Sequence, residues 1–292
     1  MIDSIVGIAS KNFGSVVDNN QEIFKSLNEI IPKSGVNIPA RNYGALMIFM
    51  TVIGYVIGLI LLIFLLATVW HPNIFTMIGA ILFVPIAVGM SVFLMSYFVP
   101  YNQMTTRKTS IDTNLPFAVA HMGSIATSGI PPSAIFKLLA DFSEYDALAV
   151  EMGKIVRNMD MFGMDPMSSI REVAKRSPSE KLKQILLGFV STIESGGDLK
   201  TYLKIMGEQA LFEWRTKRQK YLQQLDTYAE FYTGLLIAAP LFIISLFSVM
   251  NMIESNLGGV GILQLMKLSI YILVPALNIG FMLFLHSTQV EM

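Results

Sequence analysis

The chain has no cysteine in 292 residues, and from Asn42 to Thr106 it has no Asp, Glu, Lys or Arg either. The first absence excludes disulfides, thiolate nucleophiles and Cys-ligated zinc or iron–sulfur centres. The second is incompatible with a water-facing segment, because ~20 apolar residues already cross a ~30 Å hydrocarbon core once. Charge is scarce throughout. Only 14% of residues are Asp, Glu, Lys or Arg and 53% are hydrophobic, against about 25% charged in a soluble domain. The net charge of zero leaves no electrostatic footprint for nucleic acid.

Catalytic groups are equally scarce. The three histidines are His71, His121 and His286. His71 and His286 are expected on opposite membrane faces, so they share no metal, and His121 is expected as an isolated core or surface residue. No HExxH and no nucleophile elbow occur. Gly196-Gly197-Asp198-Leu199-Lys200-Thr201 approaches a phosphate loop, but Leu rather than Gly precedes Lys200 and a helix rather than a strand leads in. Carboxylates inside the apolar segments, the usual mark of a proton relay, are absent; Glu254 falls in a turn. The expectation is a protein that is not an enzyme, with no cofactor and no metal.

What is present is an order. The uncharged run breaks at Trp70-His71-Pro72-Asn73, giving spans Ala45–Trp70 and Ile74–Tyr97. A second pair, Phe231–Met252 and Ile262–Leu285, flanks a turn at Asn256-Leu257-Gly258-Gly259. Of the 21 Lys and Arg, 16 lie between Arg107 and Lys220, four in residues 1–41, and the last is Lys267. The positive-inside rule then puts both termini and the central block on the cytoplasmic side of the inner (cytoplasmic) membrane. The expected fold class is an all-α integral membrane protein, with four transmembrane helices as two hairpins flanking a six-helix cytoplasmic bundle. Its expected parts are an N-terminal amphipathic segment (1–43), hairpin 1 (44–99), the helical domain (100–230), hairpin 2 (231–286) and a tail (287–292). The N-terminus has no continuous apolar region of a signal peptide. Its apolar positions Ile5, Ile8, Ile23, Phe24, Leu27 and Ile31 fit helices that pack on the chain itself or lie on the membrane.

Within the spans, Pro85, Pro240 and Pro275 each remove a helix hydrogen bond, and Gly54 and Gly58 form a GxxxG suited to close packing or a dimer face. Lys267 either snorkels to water or makes an intramembrane contact. In the block, break signals predict helices over about Ile111–Thr127, up to Phe142, over Tyr145–Met161, from Pro166 to Arg176, from a capping box at Ser177-Pro178-Ser179-Glu180, and from an Asp198 cap. Ser128-Gly129 and Ser195-Gly196-Gly197 mark helical corners and hint at an internal repeat, with Phe136-Lys137-Leu138-Leu139 at the offset of Leu203-Lys204-Ile205-Met206. The last helix meets no breaker before the membrane. It is either a rigid lever or hinged at the surface.

The remaining candidate for function is basic surface. Arg107 and Lys108 follow the second span, and Arg215, Lys217, Arg218 and Lys220 precede the third. Such residues serve either membrane lipids or an acidic partner. Arg215 stands ~24 Å along a straight helix from Phe231, beyond the headgroup zone.

Leu115-Pro116-Phe117 with Ser128-Gly129-Ile130-Pro131, Ser177-Pro178-Ser179-Glu180-Lys181-Leu182-Lys183, Ser195-Gly196-Gly197-Asp198-Leu199, the long helix into Leu235–Phe247, and Val36-Asn37-Ile38-Pro39 occur in one order. That order resembles the F-family platform proteins of type II secretion and type IV filament machines, closest to the Tad-type and archaellum forms. The resemblance implies a non-enzymatic membrane platform. It would dock a hexameric secretion ATPase, with Arg215, Lys217 and Arg218 as the positions carried over, and couple its motion to assembly of pilin-like filament subunits. One helical domain where bacterial members have two implies pairing with itself or with a second F-family subunit. The alternative from the residues alone is a small-molecule permease subunit or a membrane signalling receptor.

Overall fold

The computed structural model describes residues 2–36, 38–68, 74–253, 256–257 and 260–288. The expected turn at Trp70-His71-Pro72-Asn73 and the histidine in it lie outside them, as does the tail from 289. The chain divides into two compact units, Met1–Ala210 and Leu211–Met292.

In the first unit α1 (Ile2–Asn19) and α2 (Gln21–Ser34) precede the apolar α3 (Ala40–Thr68). Then comes α4 (Ile74–Thr127), 54 residues without interruption. The sequence suggested a span ending at Tyr97 and a new helix at Ile111. Instead the two are one helix, ~80 Å long. No glycine occurs between Gly89 and Gly123 to stop it. Thr105 and Asn114 bond back to the carbonyls of Tyr101 and Ser110, four residues earlier. Pro100 and Pro116 are carried inside the helix.

Shorter helices follow at the expected breaks: α5 (Pro132–Asp141), α6 (Ala147–Asp160), α7 (Pro166–Arg176), α8 (Glu180–Glu194) and the start of α9 (Leu199–Phe231). Asp165 caps α7 by accepting from the Met167 and Ser168 N–H groups. The start of α8 differs from expectation. Its cap is Ser179, which accepts from the Leu182 N–H at 3.1 Å, and Pro178 lies before the helix. Ser177 closes α7 instead, and its hydroxyl accepts from the Ser179 N–H. The reason is the Ser179 hydroxyl, which also donates to Asp112 of α4 and so ties the start of α8 to that helix.

One apolar cluster joins these helices. Ile111, Leu115 and Val119 of α4 meet Phe136 of α5, Met152 and Ile155 of α6, Ile170 of α7, Phe189 of α8 and Leu203 of α9. Phe136 and Phe189 stack edge to face at 5.0 Å. Each such buried side chain contributes about 1.5–3 kcal/mol of transfer free energy. The crossing of α4 and α9 is set by glycine. A Cβ on Gly207 would stand 2.8 Å from the Ala120 Cα, and one on Gly123 would stand 3.3 Å from the Leu203 carbonyl oxygen.

A second cluster unites Val17, Phe24, Leu27 and Ile31 of α1 and α2 with Tyr43 and Met47 of α3, and Phe93 packs on it. The amphipathic N-terminal helices therefore bury their apolar faces on the chain's own first apolar helices. The GxxxG of α3 faces α4: Gly54 abuts Val92, and Gly58 abuts Val88 and Pro85. Its close-packing partner is within the chain.

In the second unit α9 continues into a π-helical stretch, Tyr232–Ala238, then α10 (Ala239–Ile253). A two-residue antiparallel ladder, β1 (Asn256–Leu257) with β2 (Val260–Gly261), leads to α11 (Ile262–Leu268). A second π-helical stretch, Ser269–Leu273, leads to α12 (Val274–Thr288). Each π stretch lies just before a proline, Pro240 or Pro275. The Ala239 N–H bonds the Gly234 carbonyl and the Val274 N–H bonds the Ser269 carbonyl, both five residues back. A wider turn relieves the clash of a proline ring with the carbonyl four residues earlier. Among the described residues four helical stretches are long and apolar enough to cross a membrane: Ala40–Phe64, Phe83–Thr127, Leu199–Ile253 and Ile262–Thr288.

Candidate functional site

Among the described residues no group of three His, Asp or Glu is placed to hold a metal. His121 is engaged inside the first unit. Its Nδ1 lies 3.2 Å from the Tyr145 hydroxyl and its ring packs edge-on against Phe142. His286 stands in the last turn of α12. Lys267 is exposed on α11. The loop resembling a phosphate cradle is filled by its own acid. Asp198 accepts from the Lys200 N–H and the Thr201 hydroxyl, and the latter bond chiefly holds its carboxyl below the usual range. A carboxylate at that helix start leaves no free N–H pair for an anion.

The helical corners are built as their sequences suggest. Gly129 and Gly196 both take the left-handed conformation, at φ +74° and +70°. Ser128 and Ser195 precede them, and the Gly197 N–H closes the second corner on the Thr192 carbonyl at 2.8 Å. After the corners, Phe136 and Leu203 both enter the same apolar cluster.

The basic residues fall into two groups. In the second unit, Arg215, Lys217, Arg218 and Lys220 are all exposed on α9. At about 100° per residue, Arg215 and Arg218 lie roughly 60° apart on one side, and Lys217 and Lys220 roughly 60° apart on the other. They make a basic collar, not one stripe. Arg218 lies over the Trp214 ring at 5.2 Å, an arrangement that restrains the guanidinium without neutralising it.

In the first unit, Lys108 is exposed, and its charge reaches Glu180. Arg107 is turned inward. It forms an ion pair with Glu151, whose side chain is 2% exposed, and packs against Gly35 at the end of α2. Lys154 shares the same carboxylate at 3.1 Å. Gly35 has φ +84°, so a side chain there would meet both backbone strain and the guanidinium. Sequence reasoning passed over Glu151. The signal was present: Leu148, Glu151, Met152 and Ile155 follow helical spacing, which puts a carboxylate on the apolar stripe of α6. An acid at such a position needs a cationic partner.

Residues 118–247 match the family model described as "Type II secretion system (T2SS), protein F". The match runs from the buried part of α4 through the block and into α10. Among curated proteins, the chain is 27% identical over 261 residues to an uncharacterized protein of Methanocaldococcus jannaschii. That alignment covers 88% of this chain and 42% of the relative. It is 22% identical to the flagella accessory protein J of the same organism and 24% identical to that of Methanococcus voltae. Those alignments cover 56% and 49% of this chain, and 30% and 26% of the relatives. The chain thus spans less than half the length of the curated relatives it matches. No solved structure matches it significantly.

Proposed function

We propose, for a chain whose residues 118–247 belong to the type II secretion system protein F family, that it is the membrane platform of a type IV filament or type II secretion-like machine. The observation that carries this reading is the family match over the block, together with two relatives named flagella accessory protein J. The platform sits in the cytoplasmic membrane as two hairpins, with the helical block and both termini on the cytoplasmic side. It performs no chemistry of its own. A hexameric secretion ATPase docks on the cytoplasmic side, and pilin-like subunits are handed to the growing filament.

The basic collar on α9 is the proposed docking surface. Its exposed charges suit an acidic face of the ATPase, and complementary charge speeds and orients such encounters. Lys108 is exposed within the first unit, and Arg107 serves the fold there through Glu151. The uninterrupted helical backbone from Leu199 to Ile253 suits transmission of a pull along its axis. The π stretch before Pro240 is the natural point of compliance. A second copy, or another F-family subunit, completes the assembly.

The test is capture of a P-loop secretion ATPase by the full-length protein in nanodiscs. Reversing Arg215, Lys217 and Arg218 to Glu is expected to abolish capture while the thermal melt is unchanged. Reversing the Arg215/Arg218 and Lys217/Lys220 pairs separately identifies which side of the helix the partner uses. In-membrane crosslinking from α9 that captures no ATPase sinks the docking proposal. Substrate uptake into proteoliposomes would favour a permease instead.

A further inference from the structure

The helix α1 meets α3 at the edge of the uncharged run. Arg41 is the last charge before that run, and Phe49 stands eight residues further in, ~12 Å along the helix. Three contacts fix α1 between them. Asp18 accepts from the Arg41 guanidinium at 2.9 and 2.8 Å. The Ser10 hydroxyl donates to the Asn42 side-chain oxygen at 3.1 Å. The Phe13 ring lies 6.3 Å from that of Phe49. Ser10 and Asp18 are themselves ~12 Å apart along α1, yet their partners on α3 are adjacent residues. α1 therefore crosses α3 instead of running beside it.

The contacts are also sorted around α1. At about 100° per residue, the buried Val6, Ala9 and Val17 share one stripe with Phe13, and Val17 meets Gly44 of α3. Gly14 and Asp18 lie on one flank of that stripe, and both meet Arg41. Val16 lies on the other flank, next to Phe13 and so on the side of Phe49. Asn12 and Ile8 continue that flank away from α3. Ile8 and Val16 remain 54% and 42% exposed. Lys11, on the flank of Asp18, is exposed as well.

On the membrane reading of α3, α1 lies across the cytoplasmic boundary of the bilayer, polar flank outward and apolar flank inward. We infer that α1 is an interfacial helix whose partner is the lipid surface, with Val16 and Ile8 among the upper acyl chains and Lys11 among the headgroups. Helices of this kind bury their apolar face about 5–10 Å into that boundary, a depth bracketed by Arg41 and Phe49. Asn12 keeps the insertion shallow. Lipid is the occupant because the polar and apolar flanks are sorted along the axis of α3, as a bilayer requires and a protein partner does not. The inference rests on the membrane reading of α3 and is independent of ATPase docking.

The absence of cysteine makes the test clean. Ile8→Cys, Lys11→Cys and Val16→Cys each receive a nitroxide label in the full-length protein in lipid nanodiscs. Ile57→Cys serves as the membrane reference, at a 53% exposed residue of α3 well inside the uncharged run. Power saturation with molecular oxygen, which concentrates in hydrocarbon, and with a water-soluble nickel chelate reads the depth of each label. Oxygen is expected to relax the labels at Ile57, Val16 and Ile8 more than the chelate does, and the ranking should reverse at Lys11. Chelate access at Val16 and Ile8 equal to that at Lys11 overturns the inference. Shielding of both positions from both reagents overturns it too, in favour of a covering protein. In either case an oxygen-dominated Ile57 leaves the membrane reading of α3 standing. A chelate-dominated Ile57 removes that reading and the inference with it.

Discussion

The two units of this chain use similar residues to opposite ends. In the helical block of the first, large apolar side chains such as Phe136, Phe189 and Ile155 are wholly enclosed by neighbouring helices. In the second, Phe242 is 78% exposed and Met252 86% exposed. None of the apolar window of the last candidate span is buried within the protein. Both units are helical, so their backbones are satisfied either way. The difference lies in what covers the side chains. The block covers its own and thereby specifies one packing. The second unit presents an apolar surface that water would not tolerate, and a bilayer or another membrane subunit is the solvent it is built for.

The comparison breaks most clearly at matched aromatic sites. Phe136→Ala should cost about 3–5 kcal/mol, the usual range for emptying an aromatic core site. Phe242→Ala should change stability by less than about 0.5 kcal/mol. Thermal unfolding of both variants in detergent, followed by circular dichroism, reads the contrast. An equal loss at Phe242 would mean that protein, not lipid or detergent, covers it.

Glycines give a second pair. Gly207→Leu should destabilise by about 1–3 kcal/mol through overpacking, because its Cβ would stand 2.8 Å from the Ala120 backbone and backbone cannot step aside. Gly234 has nothing within 4 Å of a Cβ, and Gly234→Ala should be tolerated. Denaturant midpoints for the two variants check this. A tolerated Gly207→Leu would mean that the crossing of α4 and α9 is looser than its geometry.

The smallest effect concerns pH. The carboxyl of Asp198 is held below its ordinary value by the Thr201 hydroxyl first, with the Lys200 N–H assisting. Its folded pKa lies below its unfolded one. The contribution is therefore complete above the unfolded value of about 3.9 and is lost as pH falls through the folded value. The protection of the amides in the first turn of α9, relative to their intrinsic exchange at each pH, should fall as the solution is acidified across that range. Asp198→Asn should remove the pH dependence and keep much of the cap.

Much of this was legible in advance because the signals are local. Prolines at Pro132 and Pro166, capping acids at Asp165 and Asp198, and the corner glycines Gly129 and Gly196 place helix ends within a residue or two. Each acts through bonds made inside one turn. The reading faltered where a signal had to be weighed against something distant. The break expected between Tyr97 and Ile111 is absent, and Pro100 lies inside the continuous helix there. The start of α8 moved from Ser177 to Ser179 because Asp112, 67 residues earlier in the chain, holds the Ser179 hydroxyl. The basic pair after the second span divided: Lys108 stayed outside, and Arg107 turned in toward Glu151.

The sequence by itself determined the membrane character of the chain, its helical class and most of its helix ends. Those follow from the local cost of charge in hydrocarbon and of an unsatisfied backbone N–H, which the residues carry wherever they are. Only the tertiary structure decided that the GxxxG of α3 is consumed within the chain. Only it closed α4 on α9 through Gly123 and Gly207, and gathered Arg107 and Lys154 around a single buried carboxylate. Those outcomes depend on which helix faces meet, and helical spacing fixes a face without naming its neighbour.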